Sequence, residues 1–281
     1  MTDIIKSVGK KAIELYAPRK MQRFYTQHAQ DKSFWGKYGC AVSITGDCDL
    51  TEDTKALPET LDILDSYNIK ASFACVGKQI EKNPKPYHRM VDREHEIINH
   101  TYTHPNNEEF SPDRFFNKLS ISEKKKEIME FEKVCKKELG YKPAGFRTPH
   151  FGNLHSVEVY GILNGLGYKY STSTCDIKEG RAVPFSIRGI VELPVSACPL
   201  HPYTAFGSWH FFRSNYHKKE NEFYKLFEKR LNQALETHTY FNVVIDPQDF
   251  KHVENALELL HNKKIWIAKT GDVVKWFKKR K

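Results

Sequence analysis

Two short segments of the chain carry the residue types that bind and use a metal ion. The stretch ITGDCDL places Asp47 and Asp49 two positions apart, and INHTYTHP places His100 and His104 four apart. Two imidazoles with one carboxylate form a familiar catalytic zinc set, which leaves coordination positions for water and substrate. The second carboxylate, two residues away, is then in place to deprotonate that water. On a helical turn the H-x3-H spacing turns both imidazoles to one side. The metalloprotease version of this pair needs Glu directly after the first histidine; Thr101 stands there, so that reading fails. The aspartates have a competing use as helix caps after a strand. Thr51, Glu52 and Asp53 can cap that helix without them.

Groups so far apart in sequence need a scaffold to bring them together. Runs rich in β-branched and aromatic residues predict strands at 40–46, 71–76, 95–99, 144–147, 168–173, 190–196, 240–245 and 265–269. Amphipathic helices fall between them. Leu57, Leu61 and Leu64 share one face of the first. Ile128, Phe131, Val134 and Cys135 stripe another, which Ser120 and Glu123 open as a capping box, and Val253, Ala256, Leu257 and Leu260 mark a late one. Such alternation predicts a mostly parallel α/β sheet. Asp47 and Asp49 follow the first predicted strand, His100 and His104 the third, Arg147 the fourth, Asp176 the fifth and Asp246 the seventh. All lie on the carboxyl-end rim where parallel barrels build active sites. Residues 1–37 precede the alternation and read as a helical extension broken at Pro18. Its stripe of Ile4, Ile5 and Val8 is expected to pack on the body. Residues 38–281 form one domain, without repeat or linker.

Taken together, ITGDCDL, NHTYTHP and GFRTPHF resemble the first three motifs of the polysaccharide deacetylase family, also called the NodB-homology or carbohydrate esterase family 4 domain. IWIAKTGDVVKWF resembles its closing strand and helix. The resemblance covers roughly residues 38–280. It implies a distorted (β/α)7-type barrel, one divalent ion (usually zinc), and hydrolysis of an N-acetyl or N-formyl group on an amino sugar. By that similarity Asp47 is the base, and Asp49, His100 and His104 are the metal ligands. Arg147 orients Asp47, and Pro149, His150 and Phe151 line the substrate groove. Two motifs depart from the family pattern. YSTST lacks the expected acidic residue, with Asp176 the nearby replacement. VVIDPQDF carries Asp246 where a histidine is expected to protonate the leaving amine.

That amine still needs an acid. Asp246 supplies the proton only if burial raises its pKa; otherwise it orients an imidazole. His150, His201 and His210 are the candidates. His210 is preferred because Trp209, Phe211 and Phe212 around it suit a sugar face. Asp246 also raises the alternative of a relative that binds carbohydrate without cleaving it. A glycosyltransferase using Asp47-x-Asp49 as a D-x-D pair leaves the histidines and Arg147 unexplained.

The bulk properties frame these readings. With 281 residues, 40% hydrophobic and 28% charged, the composition is that of an ordinary globular protein. No apolar run reaches the roughly 20 residues that span a bilayer, and no export signal opens the sequence. A cytoplasmic protein, peripherally associated with membrane at most, is the expectation. The six cysteines are scattered and read as buried reduced thiols, in preference to disulfides or a thiolate zinc site. Of the net charge of +9, residues 1–40 carry eight basic against three acidic groups and residues 263–281 eight against one. Basic ends on a mildly acidic body do not suit nucleic acid; they suit anionic lipid or a phosphorylated carrier. The expected substrate is therefore a nucleotide- or lipid-linked amino sugar.

Overall fold

The structure is a computed structural model that describes residues 16–213, 220–261 and 264–280. Its centre is β1 (Cys40–Cys48), buried along its whole length as a strand covered on both faces must be. β1 pairs in parallel with β2 (Ser72–Cys75), β8 (Tyr240–Val244) and β9 (Ile265–Ile267). Beyond β2 the parallel sheet continues through β3 (Glu96–Asn99), β4 (Gly145–Phe146), β5 (Tyr170–Ser171) and β7 (Ile190–Glu192). It ends on β6 (Phe185–Ile187), antiparallel to β7. The gap between β7 and β8 is bridged by the segment after β7: Ser196 N–H donates to Asn242 O at 2.8 Å, and Gly207 pairs with Val244. The sheet is thus a curled, incomplete barrel of mostly parallel strands with helices packed around it, the expected α/β class.

Local chemistry accounts for the helices that position the rim. The leucine stripe of α2 (Thr51–Ser66) is fully buried. In α5 (Ile121–Leu139) the capping box forms as read: Ser120 Oγ accepts from Glu123 N, and Glu123 accepts from Ser120 N–H at 2.8 Å. Gly140, left-handed at φ 61°, closes the helix. α9 (Phe250–Leu257) buries Val253, Ala256 and Leu257, while Leu260 falls in the 3-10 turn that follows. Among the described residues, no helix is long and apolar enough to cross a membrane.

Three expectations need adjustment. All eight predicted strands exist, several of them shorter than predicted, but β6 was absent from the prediction. Its signal was the Arg188-Gly189 pair, both at positive φ, a two-residue turn that a hairpin requires. Residues 16–27 are helical (α1), and the helix runs through Pro18 rather than breaking there. Ile4, Ile5 and Val8 lie outside the described residues. What α1 does bury is Met21 and Tyr25, against Ala182 and Ala197.

Candidate metal centre

The end of β1 is pinned before any ligand is considered. Asp53 Oδ2 accepts from the N–H of Asp49 at 3.2 Å and of Leu50 at 3.0 Å, so Asp53 does cap α2 as its position allowed. The carbonyl of Asp49 accepts from Asn107 Nδ2 at 2.9 Å and Gln79 Nε2 at 3.3 Å. With its backbone held from both sides, Asp49 presents its carboxylate to the loop after β3. His100 Nε2 lies 3.3 Å from Asp49 Oδ1 and 4.0 Å from Asp47 Oδ2, and His104 Nε2 lies 3.4 Å from Asp49 Oδ2. One nitrogen from each histidine and one Asp49 oxygen lie within 4.8 Å of one another.

The histidine pair converges by a route other than the expected helical turn. Residues 100–104 form an irregular loop with Thr101 at φ 68° and His104 at φ 51°. Such backbone costs about 1–3 kcal/mol per residue and persists where surroundings enforce it. Here Asn99 Oδ1 accepts from Thr101 N–H at 2.8 Å, and Glu127 takes both the N–H and hydroxyl of Thr103 at 2.9 Å. Asn99, Asn107, Gln79 and Glu127 are the supporting residues that motif spacing did not reveal.

Hydrogen bonding prepares the ligands for a cation. His100 Nδ1 donates to Arg147 O at 2.8 Å, which leaves its Nε2 as an acceptor facing Asp49. Buried His100 Nε2, both ring nitrogens of His104 and Asp49 Oδ1 have no hydrogen-bond partner among the described residues. Buried polar atoms without a partner are rare, and the acceptors among these point to a missing electrophile. Two nitrogens and a carboxylate suit zinc better than the all-oxygen shells of calcium or magnesium. Burial lowers His104 to about pKa 3, against the opposing pull of Asp49, so one of its ring nitrogens keeps a lone pair at neutral pH. For Asp49 burial acts upward, yet the imidazoles of His104 and His100 outweigh it and hold the carboxyl well below its ordinary value.

Beside the ligands sits a buried ion pair. Arg147 Nη1 donates to Asp47 Oδ1 at 2.6 Å, while Nη2 donates to Thr45 Oγ1 at 2.9 Å and Nε to Thr172 O at 3.1 Å. One Asp47 oxygen is thereby fixed and the other faces His100. The N–H of Asp47 donates to Asp246 Oδ1 at 3.0 Å. Gly46 permits that closeness, since a Cβ there would stand 2.2 Å from Ile245 O at the end of β8.

The remaining sequence candidates divide. His150, exposed and at φ 50°, stacks edge-on with His104, ring centroids 4.9 Å apart. Pro149 is buried beside it, and Phe151 lies over the Arg147 guanidinium at 5.1 Å. His210 hydrogen-bonds His201 at 3.1 Å, and Trp209 is 56% exposed under Arg213. Among the described residues Asp246 orients no imidazole: its other oxygen takes the Arg213 guanidinium, which also reaches Asp249 at 2.9 Å. Burial pushes Asp246 well above the ordinary carboxyl pKa, with Arg213 opposing. Asp176 does not face this centre. It accepts from the Tyr25 hydroxyl and from Ala197 N–H, tying α1 to the body. The buried acid behind YSTST is instead Glu192, which accepts from Ser173 N–H at 2.7 Å and Thr174 N–H at 3.0 Å.

An incomplete, mostly parallel α/β barrel with an Asp-His-His cluster and an arginine-held aspartate at its carboxyl rim defines a class of scaffold with a candidate metal site. Within that class, the polysaccharide deacetylase family model matches residues 41–171. A peptidoglycan-N-acetylglucosamine deacetylase of Bacillus cereus is 33% identical over 119 residues, which are 42% of this chain and 39% of that protein. Among solved structures, a Mycobacterium smegmatis protein assigned as a polysaccharide deacetylase superposes with TM-score 0.74 at 16% identity, covering 87% of this chain and 92% of its own. A Bacillus anthracis pseudoenzyme of carbohydrate esterase family 4 gives TM-score 0.56 at 15% identity over 83% of this chain and 65% of its own. Over residues 41–171 the chain resembles the polysaccharide deacetylase family, as its motifs indicated, and its match to the B. cereus protein spans less than half of that protein's length.

Proposed function

We propose that the chain hydrolyses the N-acyl group, acetyl or formyl, of an amino sugar at a centre that holds one divalent ion, zinc by preference. The observation that carries this reading is the convergence of acceptors from Asp49, His100 and His104, without partners among the described residues, beside an aspartate gripped by buried Arg147. When bound, the ion supplies Lewis acidity toward the acyl carbonyl and lowers the pKa of water. Asp47, with one oxygen fixed by Arg147, takes the proton from the attacking water. The amine leaves as it gains a proton, and His150 is the imidazole best placed to deliver it, beside the ligands and open to solvent. His150 also presents a backbone N–H for the tetrahedral oxyanion. Phe151 and Trp209 offer apolar faces to the sugar.

An N-acetylglucosamine-type sugar is the inferred substrate, from the name of the B. cereus relative. The inferred carrier is a nucleotide or lipid phosphate, which the basic chain ends would attract. Six free, buried thiols suit a reducing compartment, in keeping with a cytoplasmic site of action.

The test is direct. Asp49→Ala and His104→Ala should lose bound metal and acyl release together. Asp47→Asn should keep the metal and lose turnover by about 10²–10⁴-fold. Normal turnover by Asp47→Asn would discard Asp47 as the base. A second reading rests on Asp246, whose two oxygens are both occupied as acceptors. A non-cleaving carbohydrate binder would hold metal and sugar while releasing neither acetate nor formate from free, nucleotide-linked or lipid-linked substrates.

A further inference from the structure

A second group of metal-ligating side chains lies in the segment that bridges β7 and β8. Cys198, His201 and His210 bring a sulfur and two imidazole nitrogens within 4.8 Å of one another. Cys198 is fully buried, His210 is 9% exposed, and His201 is half-buried. The local backbone sets this up. His201 N–H donates to Cys198 O at 3.0 Å, closing a β-turn with Pro199 at its second position, where proline's fixed φ fits. A turn of this kind puts its first and fourth side chains on one side, and a two-residue spacer is the ligand spacing of structural zinc sites. Burial pushes the Cys198 thiol up to about 11, and the amides of Leu200 and His201 that approach its sulfur oppose that rise. His210 arrives from a separate element, the single π-type turn Trp209–Arg213. That turn is fixed by the Gly207–Val244 pairing and by Asp246 N–H donating to Ser208 Oγ at 3.0 Å.

We propose that Cys198, His201 and His210 hold a second divalent ion, zinc by ligand type, which clasps the 198–213 segment. His210 Nε2 and His201 Nδ1 are 3.1 Å apart, and their rings cross at 80°. Two nitrogens on a tetrahedral zinc at about 2.0–2.1 Å would sit roughly 3.3 Å apart, so the rings need to shift only slightly. The thiol gives up its proton to solvent as the ion binds, and the imidazole that donates in the His201–His210 hydrogen bond changes tautomer, moving that proton to its other ring nitrogen through solvent. With the clasp in place, Arg213 is held at Asp246 and Asp249, and His210 is committed as a ligand rather than as a proton donor. This site is independent of the Asp49 centre.

Chelator-stripped protein titrated with Zn²⁺ should take up two equivalents. Asp49→Ala should retain one, and Cys198→Ser and His201→Ala should each retain one. Cobalt-loaded Asp49→Ala should show sulfur-to-cobalt charge-transfer absorption in the near ultraviolet, which Cys198→Ser should lack. His201→Ala, at a half-buried position, guards against a Cys198→Ser protein that does not fold, and near-ultraviolet circular dichroism checks each variant. A single equivalent in the wild type, kept by folded His201→Ala and lost by Asp49→Ala, would overturn the clasp. A single equivalent kept by Asp49→Ala and lost by His201→Ala would uphold the clasp and remove the Asp49 reading instead.

Discussion

Replacing Arg147 with methionine removes a guanidinium that is wholly buried and bonded to Asp47, Thr45 and Thr172. Asp47, only 8% exposed, would then keep a charge without its cation. Breaking a buried pair from one side costs about 3–5 kcal/mol, because the stranded charge can neither reach water nor find a partner. Asp47→Asn strands the arginine instead, although three hydrogen bonds to Thr45 and Thr172 still hold it, so a cost of about 2 kcal/mol is expected. In the double variant no charge is stranded. Its cost should fall short of the sum of the singles by about 2 kcal/mol or more. Guanidinium unfolding of the four proteins in excess chelator measures this without interference from metal binding. Additivity within about 0.5 kcal/mol would refute the idea that the two residues act as one buried unit. Arg147→Met should still bind metal, since its contact with His100 runs through the backbone carbonyl, while turnover falls along with the orientation of Asp47.

Other outcomes follow from single features of the fold. Burial holds His95 near pKa 4, below the ordinary 6.5, and its Nδ1 accepts from Ala71 N–H. The unfolded chain therefore takes the proton first; stability is full above about pH 6.5 and is lost as pH falls toward 4, by about 3 kcal/mol for this residue. His155, also near 4, adds a similar loss, so His95→Gln should reduce the acid slope of the melting temperature, not abolish it. An unchanged slope would refute the assignment. Gly145→Ala would place a Cβ 2.0 Å from the buried Tyr170 ring, so a loss of about 3 kcal/mol is expected in denaturant unfolding. Ser120→Ala should cost about 1 kcal/mol through the lost α5 cap, and a change below about 0.2 kcal/mol would contradict the capping box.

Much of this protein is written locally. The leucine face of α2, the Ser120–Glu123 cap and the eight apolar strand segments were readable because each depends on neighbours a few positions away. The ligand set was legible for a related reason: a D-x-D pair and an H-x3-H pair each sit in one short loop, and parallel strands deliver their loops to a common rim. The loop form of residues 100–104 was not legible, since it also depends on Glu127, which reaches Thr103 from 24 positions away. Nor was the partner of Asp246, because Arg213 lies 33 positions away and no spacing rule links them. The same holds for Cys198, His201 and His210, where a short turn motif is completed only by a residue from another element. Sequence determined which side chains could do chemistry and on which rim they would stand. Tertiary structure alone decided which charges are paired, which acceptors are left without partners and which imidazoles face one another, because those depend on distances between segments that nothing local in the chain encodes.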